Sequence, residues 1–262
     1  MSDLKRLKRE YKMQQIRKWI YLSASFFLLS IGALLIVLHT IYPSYQNNRH
    51  VKDVLHQTEQ ISFTNIESNK AYIQSNFKES GTAFASAKEY EDNAPNLNYD
   101  FSHTDQTHRL SIEPFHPEMV VGQLHIPDLE INLPVFEGTS KNHLYNGASS
   151  LKPNQELGKG SFSLASLNLQ DSDFLFSNLS HATEDQMIYM SDKEYVYEYV
   201  ISETRDSVKE IEELIRSSHA DTTIQLITHA DNDKESYLVV IAEFKYSYPL
   251  QHATENIKQV FS

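Results

Sequence analysis

Three side chains in this chain could in principle supply a base–hydroxyl pair for acyl transfer: the imidazole of His229 with the hydroxyl of Thr228 or Ser166. A base paired with a hydroxyl makes a serine- or threonine-type nucleophile when a carboxylate orients the base and donors await the oxyanion. The sequence identifies neither of those supports. It contains no cysteine in 262 residues, so disulfides, thiolate metal ligands and thiol nucleophiles are all excluded. Twelve histidines include His125, His143 and His181, but none has a close ligand spacing such as HExxH, and scattered surface histidines are the expectation. Asp171, Asp173, Glu184 and Asp185 offer oxygen ligands without a calcium-loop pattern, so they read as solvated carboxylates and no cofactor is expected.

The elements that must position these groups are short strands. His229 closes the run TTIQLITH, and Asp231, Asn232, Asp233 and Lys234 separate it from YLVVIAEF, which predicts a hairpin with a solvated turn. In such a hairpin His229, at the end of one strand, lies close to Ser236, at the start of the next. Further strands are expected at Val120–Ile126 and Ile131–Phe136, around a Pro127-Asp128 turn, and at Ser161–Leu167, Met187–Met190 and Tyr195–Ser202. Evenly spaced short strands make a sandwich or a barrel. One helix is expected over residues 206–215, with Asp206 or Ser207 as N-cap, Glu210 completing a capping box, and Val208, Ile211, Leu214 and Ile215 on one face.

The order GQLHIPDLEINLPVFEG (122–138), LYNGASSLKP (144–153), GKGSFSLASLN (158–168), LFSNL (175–179), DQMIYM (185–190), YVYEYVISE (195–203) and QLITH (225–229) resembles the sortases, specifically the class A type. That resemblance implies a mainly β fold, an eight-stranded sortase-like β-barrel with short helices. It also implies membrane-anchored cysteine transpeptidation at a Leu-Pro-x-Thr-Gly sorting signal facing the cell wall of a Gram-positive bacterium. Some class A sortases bind calcium beside the groove. The residues that would do the chemistry are replaced: Leu167 stands where the family has its histidine, His229 where it has the nucleophilic cysteine, and Ser236 where it has its arginine. Leucine transfers no proton, and serine offers only a neutral hydroxyl. Ala165, Ser166 and Thr228 are the candidates for lining the substrate groove.

Charge and hydropathy organise the rest. Residues 1–18 hold seven Lys and Arg side chains against Asp3 and Glu10, and the remaining chain has 16 basic and 33 acidic residues, a net of −17. That acidic remainder excludes nucleic acid as a partner, since phosphate binding needs clustered Lys and Arg. From Trp19 to Asn48 no residue carries a fixed charge, and Ile20–Leu38 is almost continuously apolar, which suits one membrane-spanning helix. The expected organisation is a cytoplasmic basic tail (1–18), a transmembrane anchor (19–43), a partly helical extracellular stalk (44–118) and a barrel domain (119–262). Basic residues before the span place the N-terminus in the cytoplasm. A stalk segment folded over the groove is the alternative for part of 44–118.

Three functions follow from these readings. The first is a degenerate sortase that binds a sorting-signal peptide, or pairs with an active sortase, without catalysis. The second is a hydrolase or transferase of the same fold with relocated catalytic residues, perhaps using His229. The third is an envelope protein with no ligand.

Overall fold

The computed structural model describes residues 2–77, 97–101, 114–169, 173–216, 221–231 and 235–262. The chain forms two compact units, Met1–Asn48 and Arg49–Ser262.

Helix α1 (Ser2–Glu59) supplies the first unit. Its stretch Tyr11–Ile36 contains an 18-residue run with a mean hydropathy of 2.0, none of that run buried against protein, and the stretch is long enough to cross a bilayer. Two hydroxyls inside this run are satisfied locally: Ser23 donates to the Ile20 carbonyl at 2.9 Å and Ser30 to that of Phe27 at 2.8 Å. A helix in hydrocarbon requires such internal pairing of its polar groups.

The second unit is built on a closed barrel of eight strands: β1 (Val120–Ile126), β2 (Ile131–Phe136), β3 (Ala148–Ser150), β4 (Ser161–Ala165), β5 (Met187–Ser191), β6 (Tyr195–Val208), β7 (Thr223–His229) and β8 (Tyr237–Pro249). Their order around the barrel is β1-β2-β3-β4-β7-β8-β6-β5, parallel at β2–β3 and β4–β7 and antiparallel elsewhere. Closure leaves no strand edge unpaired. Leu124, Ile126, Leu164, Ile188, Leu226 and Val240 are among the side chains that fill the interior. Strand β7 is buried along its whole length, between β4 on one side and β8 on the other. Its continuous aliphatic and β-branched run suits a strand covered on both faces.

Part of the stretch expected to form a stalk folds with the barrel. Helix α2 (Phe63–Asn76) starts at a capping box of Ser62 and Asn65 and buries Ile66 and Ile73. These join Leu97, Tyr99, Met119, Val120 and Phe136 in a second apolar cluster. The buried Asn69 amide donates to the carbonyls of Pro117 at 2.6 Å and Val120 at 2.8 Å, satisfying backbone acceptors beside β1.

The helix expected over 206–215 is corrected. Residues up to Val208 continue β6, pairing Arg205 with Val239 and Val208 with Tyr237, and of residues 206–216 only Glu212–Arg216 is helical. The Asp206 side chain accepts from Ser207 N rather than capping a helix, and Ser207 has φ 59° at a bulge. Strand β8 is long enough to pair with β6 as far as Arg205 and again, past the bulge, at Val208, so tertiary hydrogen bonding overrides the local helical pattern. Ile211 and Ile215 still enter the core, and Val208 and Leu214 pack against it.

Candidate functional site

Strands β4 and β7 run parallel in a register that pairs Ala165 with Ile227, and this register sets Leu167 beside His229. Three bonds clamp the pair beyond the sheet. Thr228 Oγ1 donates to Ser166 O at 2.8 Å, Ser166 Oγ to Gly147 O at 2.8 Å, and Asn168 Nδ2 to His229 O at 3.1 Å. Gly147 must be glycine for this approach: a Cβ there would lie 2.3 Å from Pro134 O and 2.9 Å from a Phe136 ring carbon. Across the hairpin His229 pairs with Tyr237, while Ser236 receives Ala230 N on its carbonyl at 2.9 Å. Leu167, His229 and Ser236 are therefore gathered at one end of the barrel, where β7 finishes and β8 begins. Residues 232–234 of the turn lie outside the described residues.

All of these positions are sealed from solvent. Leu167 is a core residue, His229 is 4% exposed, and Ala165, Ser166, Thr228 and Ser236 are fully buried. The cover over His229 is aromatic. The Phe101 ring lies 5.0 Å from the imidazole centroid and the Tyr237 ring 4.8 Å, both tilted against it. Burial pushes the Tyr237 phenol up from its usual range, with Glu212 and Asp100 adding to the shift, so it stays protonated.

Phe101 reaches the imidazole because its segment is pinned to the barrel. Thr139 N and Oγ1 donate to Asn98 O at 2.5 and 3.1 Å, and Thr139 Oγ1 also reaches Asp100 O at 2.9 Å. Tyr99 donates its hydroxyl to Glu137 at 2.8 Å. Phe101 lies within residues 44–118, where the sequence predicts a stalk and not a part of the site. The run LNYDF (97–101) alternates apolar and polar residues with the period of a strand, and this was the signal that marked it.

What the arrangement can do chemically is limited. The hydroxyl protons of Thr228 and Ser166 go to backbone carbonyls, so neither is delivered to His229 as an activated nucleophile would be. Asp231, the nearest acid in sequence, accepts from Asn168 at 2.6 Å. The other histidines need one correction, since they are not all at the surface. His181 is exposed, but His125 is half-buried with its Nδ1 at Ile131 O. His143 is buried, stacked flat on Phe136 at 4.9 Å with Nδ1 2.8 Å from Gly138 O. Stacking and a carbonyl partner make an interior position acceptable to these rings. Asp173, Glu184 and Asp185 are exposed, and Asp171 lies outside the described residues. Among the described residues no group of three or more His, Asp or Glu side chains could hold a metal ion.

Comparison with known proteins bears directly on this barrel. The family profile described as Sortase domain matches residues 124–245, from β1 into β8. Sortase A of Streptococcus agalactiae is 34% identical over 173 residues, covering 63% of this chain and 70% of that protein. Sortase A of Listeria monocytogenes is 32% identical over 141 residues, covering 53% of this chain and 63% of that protein. The crystal structure of Listeria monocytogenes sortase A superposes with a TM-score of 0.50 at 28% identity, covering 55% of this chain and 97% of that one. Sortase C-3 from Streptococcus pneumoniae shares the fold, with a TM-score of 0.55 at 21% identity over 81% of this chain and 100% of that one. With the closed barrel, the matched strands and the identity to a curated relative all in agreement, the chain belongs to the sortase family.

Proposed function

We propose that this sortase-family chain is a membrane-anchored binding protein with no cysteine transpeptidase activity. One observation carries the reading: His229, which by its resemblance to the family pattern stands where the nucleophile would, is enclosed by Phe101 and Tyr237 in a chain without any cysteine. Thioester formation needs a sulfur nucleophile, and loss of cooperating groups removes catalysis by orders of magnitude. The clustered basic residues ahead of the apolar stretch favour a cytoplasmic N-terminus, which puts the barrel outside the membrane, facing the cell wall. The retained barrel supports recognition of a sorting-signal peptide, or of an active sortase, through packing and backbone hydrogen bonds. A peptide entering at the β7–β8 end must first displace the Phe101 ring.

The test uses the full chain in lipid nanodiscs with a fluorescent Leu-Pro-x-Thr-Gly peptide, read by anisotropy for binding and by chromatography for cleavage. Binding without cleavage is expected, and it should tighten in Phe101→Ala. Cleavage above the protein-free background refutes the non-catalytic reading. A peptide bound by neither form refutes peptide recognition, and absence of co-purification with an active sortase then refutes the pairing reading.

A further inference from the structure

A cavity of about 460 Å³ opens between α2, the segment around Leu97 and Tyr99, and the loop that leads into β4. It lies at the N-terminal end of β4, away from Leu167 and His229, and has the size of small-ligand pockets, about 300–1,000 Å³. We propose that this cavity binds a small organic cation: a primary ammonium carried on an apolar or aromatic body. The inference is independent of what happens at the β7–β8 end.

The lining argues for that chemistry through what is already spent and what remains. Lys70 and Lys159, its two cationic side chains, are matched by their own acids, Glu67 at 3.1 Å and Glu156 at 2.5 Å. Two further carboxylates, Glu137 and Asp192, line the cavity, and each receives a phenol: Tyr99 donates to Glu137 at 2.8 Å and Tyr197 to Asp192 Oδ2 at 3.0 Å, while Asp192 Oδ1 accepts from Glu194 N at 3.0 Å and Tyr195 N at 2.8 Å. Burial, reinforced by Asp192, pushes the Tyr197 phenol up, so that proton stays on oxygen and points at the acid. With the phenol protons committed to the carboxylates, neither phenol offers its proton to a ligand, and a carboxylate oxygen can only accept, so polar contacts of a ligand with these groups are ones in which the ligand donates. The remaining walls are apolar, with rings from Phe77, Tyr99, Phe162 and Tyr197. Acceptor oxygens and aromatic rings both favour a cation over an anion, and the aliphatic floor of Ile73, Val121 and Leu157 suits an apolar body.

Phenethylamine, 2-phenylethanol and 3-phenylpropionate share one aromatic body and differ in the charge of the head group. Their binding to the full chain in zwitterionic nanodiscs is measured by calorimetry against empty nanodiscs. Phenethylamine is expected to bind at least about tenfold more tightly than the alcohol or the acid. Glu137→Gln keeps an acceptor for Tyr99 and should erase most of that preference. Gln74→Trp changes an exposed position on the cavity wall and should block all three probes, with the thermal midpoint confirming that the barrel is intact. The proposal is overturned if phenethylamine does not bind, if the three probes bind equally, or if neither substitution changes its affinity.

Discussion

Removing the ring of Phe101 tests how the imidazole of His229 is closed off at the end of β7. Phe101 is 1% exposed and packs on both His229 and Tyr237. Truncating a buried phenylalanine to alanine costs about 3–5 kcal/mol. The bonds from Thr139 to Asn98 and Asp100 do not involve the ring, so the loss in Phe101→Ala falls first on local release of the segment. At about 1.4 kcal/mol per factor of ten, the open form should gain roughly two to three and a half orders of magnitude in population. The assay is the rate at which diethyl pyrocarbonate modifies individual histidines, followed by mass spectrometry on the full chain in nanodiscs. The rate at His229 should rise by about a hundredfold or more, whereas that at His181, already exposed, should not change. Global loss would instead lower the melting temperature by about 2–4 °C per kcal/mol for a unit of this size, and would raise modification of buried His143 as well. An unchanged rate at His229 would refute the closure argument.

Three further outcomes follow from the packing. Gly147→Ala places a methyl 2.3 Å from Pro134 O and should destabilise the barrel by about 1–3 kcal/mol or more, read as a lowered denaturant midpoint with unchanged m-value. Asn69→Ala strips the donor from the buried Val120 carbonyl and the partly buried Pro117 carbonyl and should cost about 1–3 kcal/mol, seen as faster amide exchange in α2 while β7 keeps its protection. Burial holds the His143 imidazole below its ordinary range, against the opposing bond to Gly138 O, so the folded state disfavours its protonated form. Its contribution to stability is therefore complete above the unfolded value of about 6.5 and declines as pH falls below it. Urea midpoints measured on either side of that value should differ in the parent and differ less in His143→Gln.

Several elements were legible because local pattern and final environment agree. Strands β1 and β2 fall at the residues that their alternating or β-branched runs and the Pro127 turn indicate. The buried run of β7, and its pairing with β8, were legible from two aliphatic segments around an acidic turn. At the site, the identity of residues 167, 229 and 236 could be read directly, but not their surroundings. Nothing local marks His229 as buried, because its cover comes from Phe101, far earlier in the chain, and from Tyr237 across the hairpin.

The chemistry this chain lacks was settled by sequence alone: without a sulfur nucleophile anywhere, thioester formation is excluded whatever the fold. So was the apolar stretch near the N-terminus, since spanning length is a property of consecutive residues. Tertiary structure decided the rest. Residues up to Val208 are strand rather than helix because β8 offers them hydrogen-bonding partners, and α2 packs on β1 because Asn69 finds two carbonyls there. The β7–β8 end of the barrel is closed because an extended segment, tethered through Thr139, lays one aromatic ring on an imidazole. In each case the deciding partner is distant in the chain, so the energy that selects the local state exists only once the barrel has formed.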